Sequence, residues 1–240
     1  MDFEKGEIIL INKPYQWTSF DVVNKLRIVL KKNISASADS ESRTPNSKLK
    51  VGHAGTLDPL ATGLLIICTG KLTRQIDTFQ AQEKEYTGTF YLGATTPSYD
   101  LETKPENQKD ISRLTEELIS GAAKKFIGKI SQVPPSYSAV KIDGKRAYKN
   151  ARKGLDIKME PREVMIDSFE ILKSEIPLVH FRIVCSKGTY IRSLARDFGE
   201  ALGCGAYLHS LCRTRIGNFN LKDALSVEEF IAQTSYNVST

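Results

Sequence analysis

Residues 52–63 read Gly-His-Ala-Gly-Thr-Leu-Asp-Pro-Leu-Ala-Thr-Gly and run directly into the apolar stretch Leu-Leu-Ile-Ile-Cys at 64–68. Three glycines and Pro59 predict a shaped loop, because glycine tolerates positive φ while proline fixes φ and lacks an N–H. The apolar stretch predicts a buried strand directly after this loop. His53 and Asp58 are the ionisable side chains of the loop, so the loop is either a tight turn or a site that presents reactive groups.

The sequence on either side of this loop predicts interspersed strands and helices. Thr18 and Asp21 form a capping pair before apolar residues at helical spacing, and the alternation in residues 84–95 predicts a half-buried strand. Two more strands, 164–172 and 178–186, are expected to pair through a short turn. Because the elements follow no strict βαβ rhythm, we expect an α+β fold with a mixed, largely antiparallel central sheet flanked by helices and loops.

One catalytic domain is expected over residues 1–223, followed by a short helix and tail at 224–240. Residues 31–50 lose apolar periodicity and contain five serines, which predicts a flexible connection inside this domain. The four cysteines show no CxxC spacing, and the N-terminus lacks the pattern of a signal peptide. A reduced, cytoplasmic protein is therefore expected.

Positive charge is concentrated in one segment of the chain. Residues 124–162 carry eleven basic and three acidic side chains, a net charge of +8, whereas the whole chain of 240 residues has a net charge of +6. Tyr137 and Tyr148 are interleaved with these basic residues. This basic segment therefore fits an RNA-binding surface better than an ordinary solvated face.

Motifs for common cofactors fail in this sequence. Residues 69–71, Thr-Gly-Lys, resemble the end of a phosphate-binding loop, but Leu65 and Leu72 occupy positions that require Gly and Ser or Thr. The dinucleotide-type pattern that begins at Gly203 lacks its third glycine. The three histidines do not fall at metal-ligand spacing. Neither a nucleotide cofactor nor a metal is expected.

Several multi-residue motifs occur in a fixed order along the chain. They are Lys84-Glu85-Tyr86, Gln132-Val133-Pro134-Pro135-Ser136-Tyr137-Ser138-Ala139-Val140-Lys141, Cys185-Ser186-Lys187-Gly188-Thr189-Tyr190-Ile191-Arg192, Leu208-x-x-Leu211-x-Arg213-Thr214 and Gly217-x-Phe219. Together with the loop at 52–63, these motifs closely resemble the tRNA pseudouridine-55 synthase (TruB) family of RNA-modifying enzymes. The likeness runs from Asn12-Lys13-Pro14 to Phe219, which is nearly the whole chain.

The resemblance implies an isomerase that converts uridine 55 in the T arm of tRNA to pseudouridine, without a cofactor or metal. In this reaction the base is detached from C1′ through N1, rotated, and rejoined through C5. Asp58 matches the family's catalytic aspartate, which attacks or stabilises C1′ of the flipped-out uridine, and Arg192 would pair with Asp58 to orient it. Tyr86 matches the tyrosine that stacks on the target base, and its hydroxyl is a candidate for the proton removal.

The resemblance also implies which residues bind the substrate. Tyr190 and Leu211 would complete the base pocket, and His53 would fill the space that the uridine leaves in the RNA. Lys13 should lie beside the Asp58 loop and touch either its backbone or RNA. The phosphate contacts expected in the basic segment are Lys141, Arg146, Lys149 and Arg152.

Many family members end in a small extra RNA-binding domain, whereas this sequence is expected to lack a complete one after Phe219. We expect a monomer whose partner is tRNA, with no membrane and no metal. Two alternatives stay open: a catalytically silent tRNA-binding or folding factor on the same scaffold, and a hydrolytic nucleobase enzyme. The intact catalytic motifs argue against the first, and hydrolysis normally needs a second carboxylate or a positioned water.

Overall fold

The apolar stretch 64–68 lies in a long buried strand, β3 (Ala61–Thr69), in the computed structural model of the chain. The structure describes residues 2–36, 49–138, 141–142, 145–146 and 159–236. The chain divides into two compact units, the first formed by residues 1–84 with 212–240 and the second by residues 85–211. Strand β10 (Ala206–Ile216) contributes residues to both units.

The first unit is built around β3. Its other elements are the strands β1 (Ile8–Lys13), β2 (Val51–His53) and β11 (Phe219–Asn220), the helices α1 (Ser19–Ala36), α2 (Ile76–Ala81) and α5 (Val227–Tyr236), and the 3-10 turns Gly70–Gln75 and Leu221–Asp223. Strands β1 and β2 both pair with β3 in antiparallel register, and β11 pairs with the end of β10. Strand β3 lies between β1 and β10 in the strand order.

Strand β3 is apolar on both faces because both faces are covered. Leu65 and Ile67 belong to a core cluster that includes residues of α1 and α5, whereas Leu64, Ile66 and Cys68 belong to a second cluster. All five side chains are fully buried. A strand without a solvent-facing side loses the usual alternation of polar and apolar residues, which explains the continuous apolar run.

Helix α1 begins where the capping pair predicts. Thr18 N and Oγ1 both donate to Asp21 Oδ2, at 2.8 and 2.7 Å, and Asp21 N donates back to Thr18 Oγ1 at 3.1 Å. The predicted connection at 31–50 starts too early, because α1 continues to Ala36. Its last turns carry exposed lysines and so lack the apolar spacing by which a helix is predicted. Residues 37–48 lie outside the described residues.

The second unit contains a sheet with its own aromatic core. Its elements are β4 (Lys84–Leu92, from Glu85 on), β5 (Gly128–Gln132), β6 (Lys141–Ile142), β7 (Lys145–Arg146), β8 (Arg162–Glu175), β9 (Leu178–Cys185), α3 (Glu116–Lys124) and α4 (Ile191–Ala201). The strand order is β10-β4-β9-β8-β5, and the predicted hairpin is confirmed as the antiparallel pair of β8 and β9. Phe90 packs against Phe181 and Phe198, with ring centroids 4.2 and 5.7 Å away. The predicted α+β class with a largely antiparallel sheet is confirmed.

The basic segment 124–162 begins inside regular structure. Lys124 ends α3 and Lys129 lies in β5, which pairs with β8. Strands β6 and β7 pair with each other and place the backbones of Lys141 and Arg146 opposite one another. The other two predicted phosphate contacts, Lys149 and Arg152, lie outside the described residues.

The close approach of β3 to β10 requires a glycine in β3. Gly63 has φ +103°, and a Cβ at this position would lie 2.6 Å from the backbone nitrogen of Arg213. We expect Gly63→Ala to lower the free energy of unfolding by at least about 2 kcal/mol, because positive φ and backbone overlap both disfavour the methyl group. Urea unfolding measures this change.

The matched control is Gly121→Ala in α3, where a Cβ meets no atom within 4 Å. That substitution should stabilise the protein by about 0.5–1 kcal/mol, since alanine is the better helix former. Equal unfolding free energies for the two variants would contradict the prediction.

Candidate active site

Lys13 fixes the loop that carries Asp58. This lysine ends β1 and is fully buried. Its Nζ donates to three carbonyl oxygens: Pro14 O at 2.9 Å, Trp17 O at 2.6 Å and Pro59 O at 3.4 Å. One ammonium group therefore joins the turn after β1 to the residue next to Asp58.

Arg213 holds the other end of the same loop. It lies in β10, is only 1% exposed, and is among the largest fully buried side chains of the described residues. Its guanidinium donates to Leu64 O at 2.8 Å, Gly55 O at 3.0 Å and Thr56 O at 3.4 Å. The fork of N–H groups thus ties the loop to Leu64 in β3, a geometry that lysine cannot reproduce.

The segment between β1 and α1 completes the support. Ser19 Oγ accepts a hydrogen bond from Leu57 N at 2.8 Å and donates to Leu57 O at 3.2 Å. Gln16 N donates to Pro59 O at 2.9 Å. The residues on both sides of the half-buried Asp58 therefore have backbones fixed by hydrogen bonds. A side chain on such a backbone reaches its working geometry with little reorganisation.

Lys13 interacts electrostatically with both Asp58 and Arg213. Burial lowers the pKa of Lys13 from 10.5 to about 8, the nearby charge of Asp58 opposes that shift, and Arg213 adds to it. Because the pKa is depressed in the folded state, the unfolded chain binds more protons between about pH 8 and 10.5. The contribution of this group to stability therefore increases with pH across that window. At neutral pH the ammonium is mostly protonated and keeps its hydrogen bonds.

His53 is a neutral side chain at the start of the 52–63 stretch. It ends β2, and burial together with repulsion from Arg213 lowers the pKa of its imidazole below the ordinary 6.5. Its Nδ1 is buried and has no hydrogen-bond partner among the described residues. A neutral ring suits a role in filling space better than a role as a proton donor.

Tyr190 in the second unit is fixed through its backbone. It precedes the first residue of α4 and makes two reciprocal bonds with Gln132, which is 1% exposed. Gln132 Oε1 accepts from Tyr190 N at 2.8 Å, and Gln132 Nε2 donates to Tyr190 O at 3.1 Å. The start of α4 is thereby attached to the end of β5.

Arg192 is the second residue of the same helix and is almost fully buried. Its Nη1 is 3.5 Å from Asp100 Oδ2 and 3.4 Å from Ser98 O, and its Nη2 donates to Tyr137 O at 3.0 Å. A buried ion pair with added carbonyl acceptors fixes the guanidinium in one orientation.

The predicted site residues fall into two groups. Lys13, His53 and Asp58 lie in the first unit. The second unit holds Tyr86 in β4, Tyr190 and Arg192 at the start of α4, and Leu211 in β10. The expected pairing of Arg192 with Asp58 joins residues of different units and stays a prediction, as does the shared base pocket.

Sequence reasoning assigned no role to three residues that organise these groups. Arg213 is part of a quoted motif, but a buried arginine in a strand has the same sequence pattern as an exposed one. Gln132 opens the Gln-Val-Pro-Pro motif, where only the two prolines give a local signal. Asp100 lies in a polar, acidic stretch that is typical of a surface loop.

Two negative findings apply to the described part of the chain. No three His, Cys, Asp or Glu side chains there are close enough to hold a metal ion. None of the helices described is long and apolar enough to span a membrane.

Two family models match adjacent parts of the chain, which together span residues 43–238. The N-terminal domain of TruB family pseudouridylate synthases matches residues 43–191, and the C-terminal domain of tRNA pseudouridylate synthase B matches residues 192–238. This chain belongs to the TruB family. It is accordingly an isomerase of the pseudouridine synthase type, as the motifs around Asp58 and Arg192 predict.

Curated relatives agree with this assignment. The chain is 51% identical to tRNA pseudouridine synthase B of Phocaeicola vulgatus over 96% of this chain and 94% of that protein. It is 49% identical to the protein of the same name from Flavobacterium johnsoniae over 95% of this chain and 96% of that one.

Solved structures show the same fold in larger proteins. A Cbf5-Nop10-Gar1 complex contains a chain that is 29% identical with a TM-score of 0.70, covering 96% of this TruB chain and 54% of that one. An H/ACA ribonucleoprotein bound to a substrate RNA containing 2′-deoxyuridine matches with 26% identity and a TM-score of 0.66. The TruB chain spans about half the length of each of these matched chains.

The coupling of Lys13 to Asp58 is measurable. We expect Asp58→Asn to lower the pKa of Lys13 below its value of about 8, because the ammonium loses the negative charge that favours its protonated form. Carbon-13 NMR of lysine labelled at Cε measures this pKa in both proteins. The control is Asp21→Asn, since Asp21 interacts with Lys13 more weakly and should shift its pKa less. An identical pKa in wild type and Asp58→Asn would contradict the coupling.

Proposed function

We propose that this enzyme isomerises uridine 55 in the T arm of tRNA to pseudouridine, with Asp58 as the group that attacks or stabilises C1′ of a flipped-out uridine. The observation that carries the proposal is the Asp58 loop itself, which Lys13 and Arg213 hold through six carbonyl groups of the loop and its neighbours. Relatives about 50% identical over 95% of this chain bear the name tRNA pseudouridine synthase B, which supports tRNA as the substrate.

The chemistry of the reaction needs a carboxylate at this position. Breaking the N1–C1′ bond develops positive charge on the ribose, and a carboxylate beside C1′ either stabilises that charge or captures C1′ covalently. The detached base then rotates and forms a C5–C1′ bond. C5 loses its proton and N1 gains one, so the product is an isomer of the substrate and no cofactor is consumed.

The second unit supplies the remaining proposed roles. Tyr86 stacks on the uracil ring, and its hydroxyl is the candidate for removing the C5 proton. Tyr190 and Leu211 enclose the base, and Arg192 orients the Asp58 carboxylate. Rigid placement of Tyr190 by Gln132 and of Arg192 by its carbonyl acceptors suits these roles, since a flipped base is held by preformed apolar and aromatic walls.

We expect Asp58→Asn to reduce pseudouridine formation at least about a thousandfold, because the neutral amide neither captures nor stabilises C1′. Affinity for tRNA should stay within severalfold of wild type, since the substitution changes charge but little shape. Release of tritium from tRNA labelled at uridine C5 measures turnover, and filter binding measures affinity.

Two controls sharpen this test. Asp77→Asn changes an exposed carboxylate at the start of α2 and should leave turnover unchanged. A tRNA with cytidine at position 55 should yield no pseudouridine in the T arm. Retained turnover in Asp58→Asn would overturn the role of Asp58, and a wild-type protein that binds tRNA without forming pseudouridine would favour the silent binding factor.

The basic segment is proposed to contact the phosphates of the T arm. Replacing Lys141 and Arg146 by Gln should weaken tRNA binding and make the slope of log K against log salt shallower by about 1.4–1.8. The reason is that the loss of two phosphate contacts reduces the number of counterions released on binding. Binding is measured over a series of KCl concentrations.

The matched control removes the same amount of charge from a different surface. Lys25 and Lys32 are exposed on α1, and their double replacement by Gln should leave the slope within about 0.4 of wild type. Equal slopes for the two double variants would place the phosphate contacts outside the basic segment.

A further inference from the structure

Two large aromatic side chains are exposed beside the Asp58 loop. Tyr15 is 52% exposed in the turn after β1, and Phe20 is 59% exposed in the first turn of α1. Trp17, which lies between them in sequence, packs against the core cluster of the first unit. A single exposed aromatic residue is common on a protein surface. Here two of them lie in one short segment, residues 15–20, which is hydrogen-bonded to the Asp58 loop.

This segment and the Asp58 loop form one hydrogen-bonded structure. Gln16 N donates to Pro59 O at 2.9 Å, and Ser19 exchanges two hydrogen bonds with the backbone of Leu57. Lys13 Nζ binds carbonyl oxygens in both parts of the chain. The backbones that carry the two exposed rings are therefore fixed relative to the backbone that carries Asp58.

The turn between the rings is conformationally strained. Gln16 has φ +67°, a left-handed conformation that residues with a Cβ rarely adopt. Its N–H bond to Pro59 O holds this conformation. The turn leaves Tyr15 exposed while Trp17 packs into the core, an arrangement that costs the fold both strain and exposed apolar surface. Strain of this kind is characteristic of functional sites.

We propose that Tyr15 and Phe20 bind bases of the substrate RNA by stacking, next to the uridine on which Asp58 acts. This inference rests on the proposed function, because it takes the RNA at the Asp58 loop as the occupant. Unstacked bases of an RNA loop are recognised largely by aromatic faces, and such a platform is tolerant of sequence. Asp21, the carboxylate next to Phe20, accepts hydrogen bonds from Thr18 as the helix cap and is thereby engaged within the protein.

The test compares substitutions of the exposed aromatic residues Tyr15 and Phe20 with substitutions of similarly exposed aliphatic residues elsewhere. Tyr15→Ala and Phe20→Ala should each raise the Kd for unmodified tRNA about five- to hundredfold, the range expected for loss of one stacked base. Tyr15→Phe and Phe20→Tyr keep a ring and should bind within about twofold of wild type. The salt dependence of binding should not change in any of these variants, because no phosphate contact is lost.

The control variants are Ile28→Ala and Leu172→Ala. Ile28 is 53% exposed further along α1, and Leu172 is 53% exposed in β8 of the second unit. Both should bind tRNA like wild type. A Kd for Tyr15→Ala and Phe20→Ala that matches these controls would overturn the proposal, and so would equal losses in Tyr15→Phe and Tyr15→Ala or a reduced salt slope.

The outcomes separate this proposal from the function on which it rests. If the wild-type protein forms no pseudouridine in tRNA, the proposed function fails before any variant is compared. If the wild type converts tRNA and the alanine variants bind it equally well, the aromatic surface alone is refuted. Thermal melting of every variant within a few degrees of wild type confirms that binding, and not folding, is being compared.

Discussion

Two buried cations that bind backbone carbonyl oxygens determine the geometry on which the Asp58 loop depends. Lys13 and Arg213 donate hydrogen bonds to main-chain acceptors of the loop and its neighbours, and the charge of Lys13 also interacts with that of Asp58. Burial disfavours the charged form of an ammonium group, and the depressed pKa of Lys13 reflects this desolvation cost. The charge of Asp58 counteracts this depression. The charge of Asp58 therefore favours the protonated form of the cation that fixes its loop.

Strand β3 explains why the loop sits on a rigid support. Its five central side chains are buried on both faces, and its first residues are bonded to Arg213 through Leu64 O. Gly63 allows the backbone of β10 to approach, which brings Arg213 within reach of Gly55 and Thr56. The glycines of the motif thus have a packing role in addition to shaping the loop.

Local sequence patterns predicted the parts of the fold that local chemistry determines. The Thr18–Asp21 pair marks the start of α1, and the continuous apolar run marks a strand covered on both faces. The end of α1 was missed because residues 31–36 carry no apolar spacing and include the exposed Lys31 and Lys32. Arg213, Gln132 and Asp100 were missed for a different reason. Their roles depend on which carbonyl or carboxylate lies opposite them in space, and no neighbour in sequence carries that information.

A preformed loop has an energetic consequence for the proposed reaction. Taking a uridine out of its stack costs a few kcal/mol, and this cost must be met by contacts that the enzyme makes with the RNA. Because the backbone around Asp58 is already ordered by Lys13, Arg213 and Ser19, little binding energy is needed to order it. The energy of stacking on aromatic side chains and of phosphate contacts is then available to deform the RNA, and it contributes to the rate because the reactive geometry exists only in that deformed state.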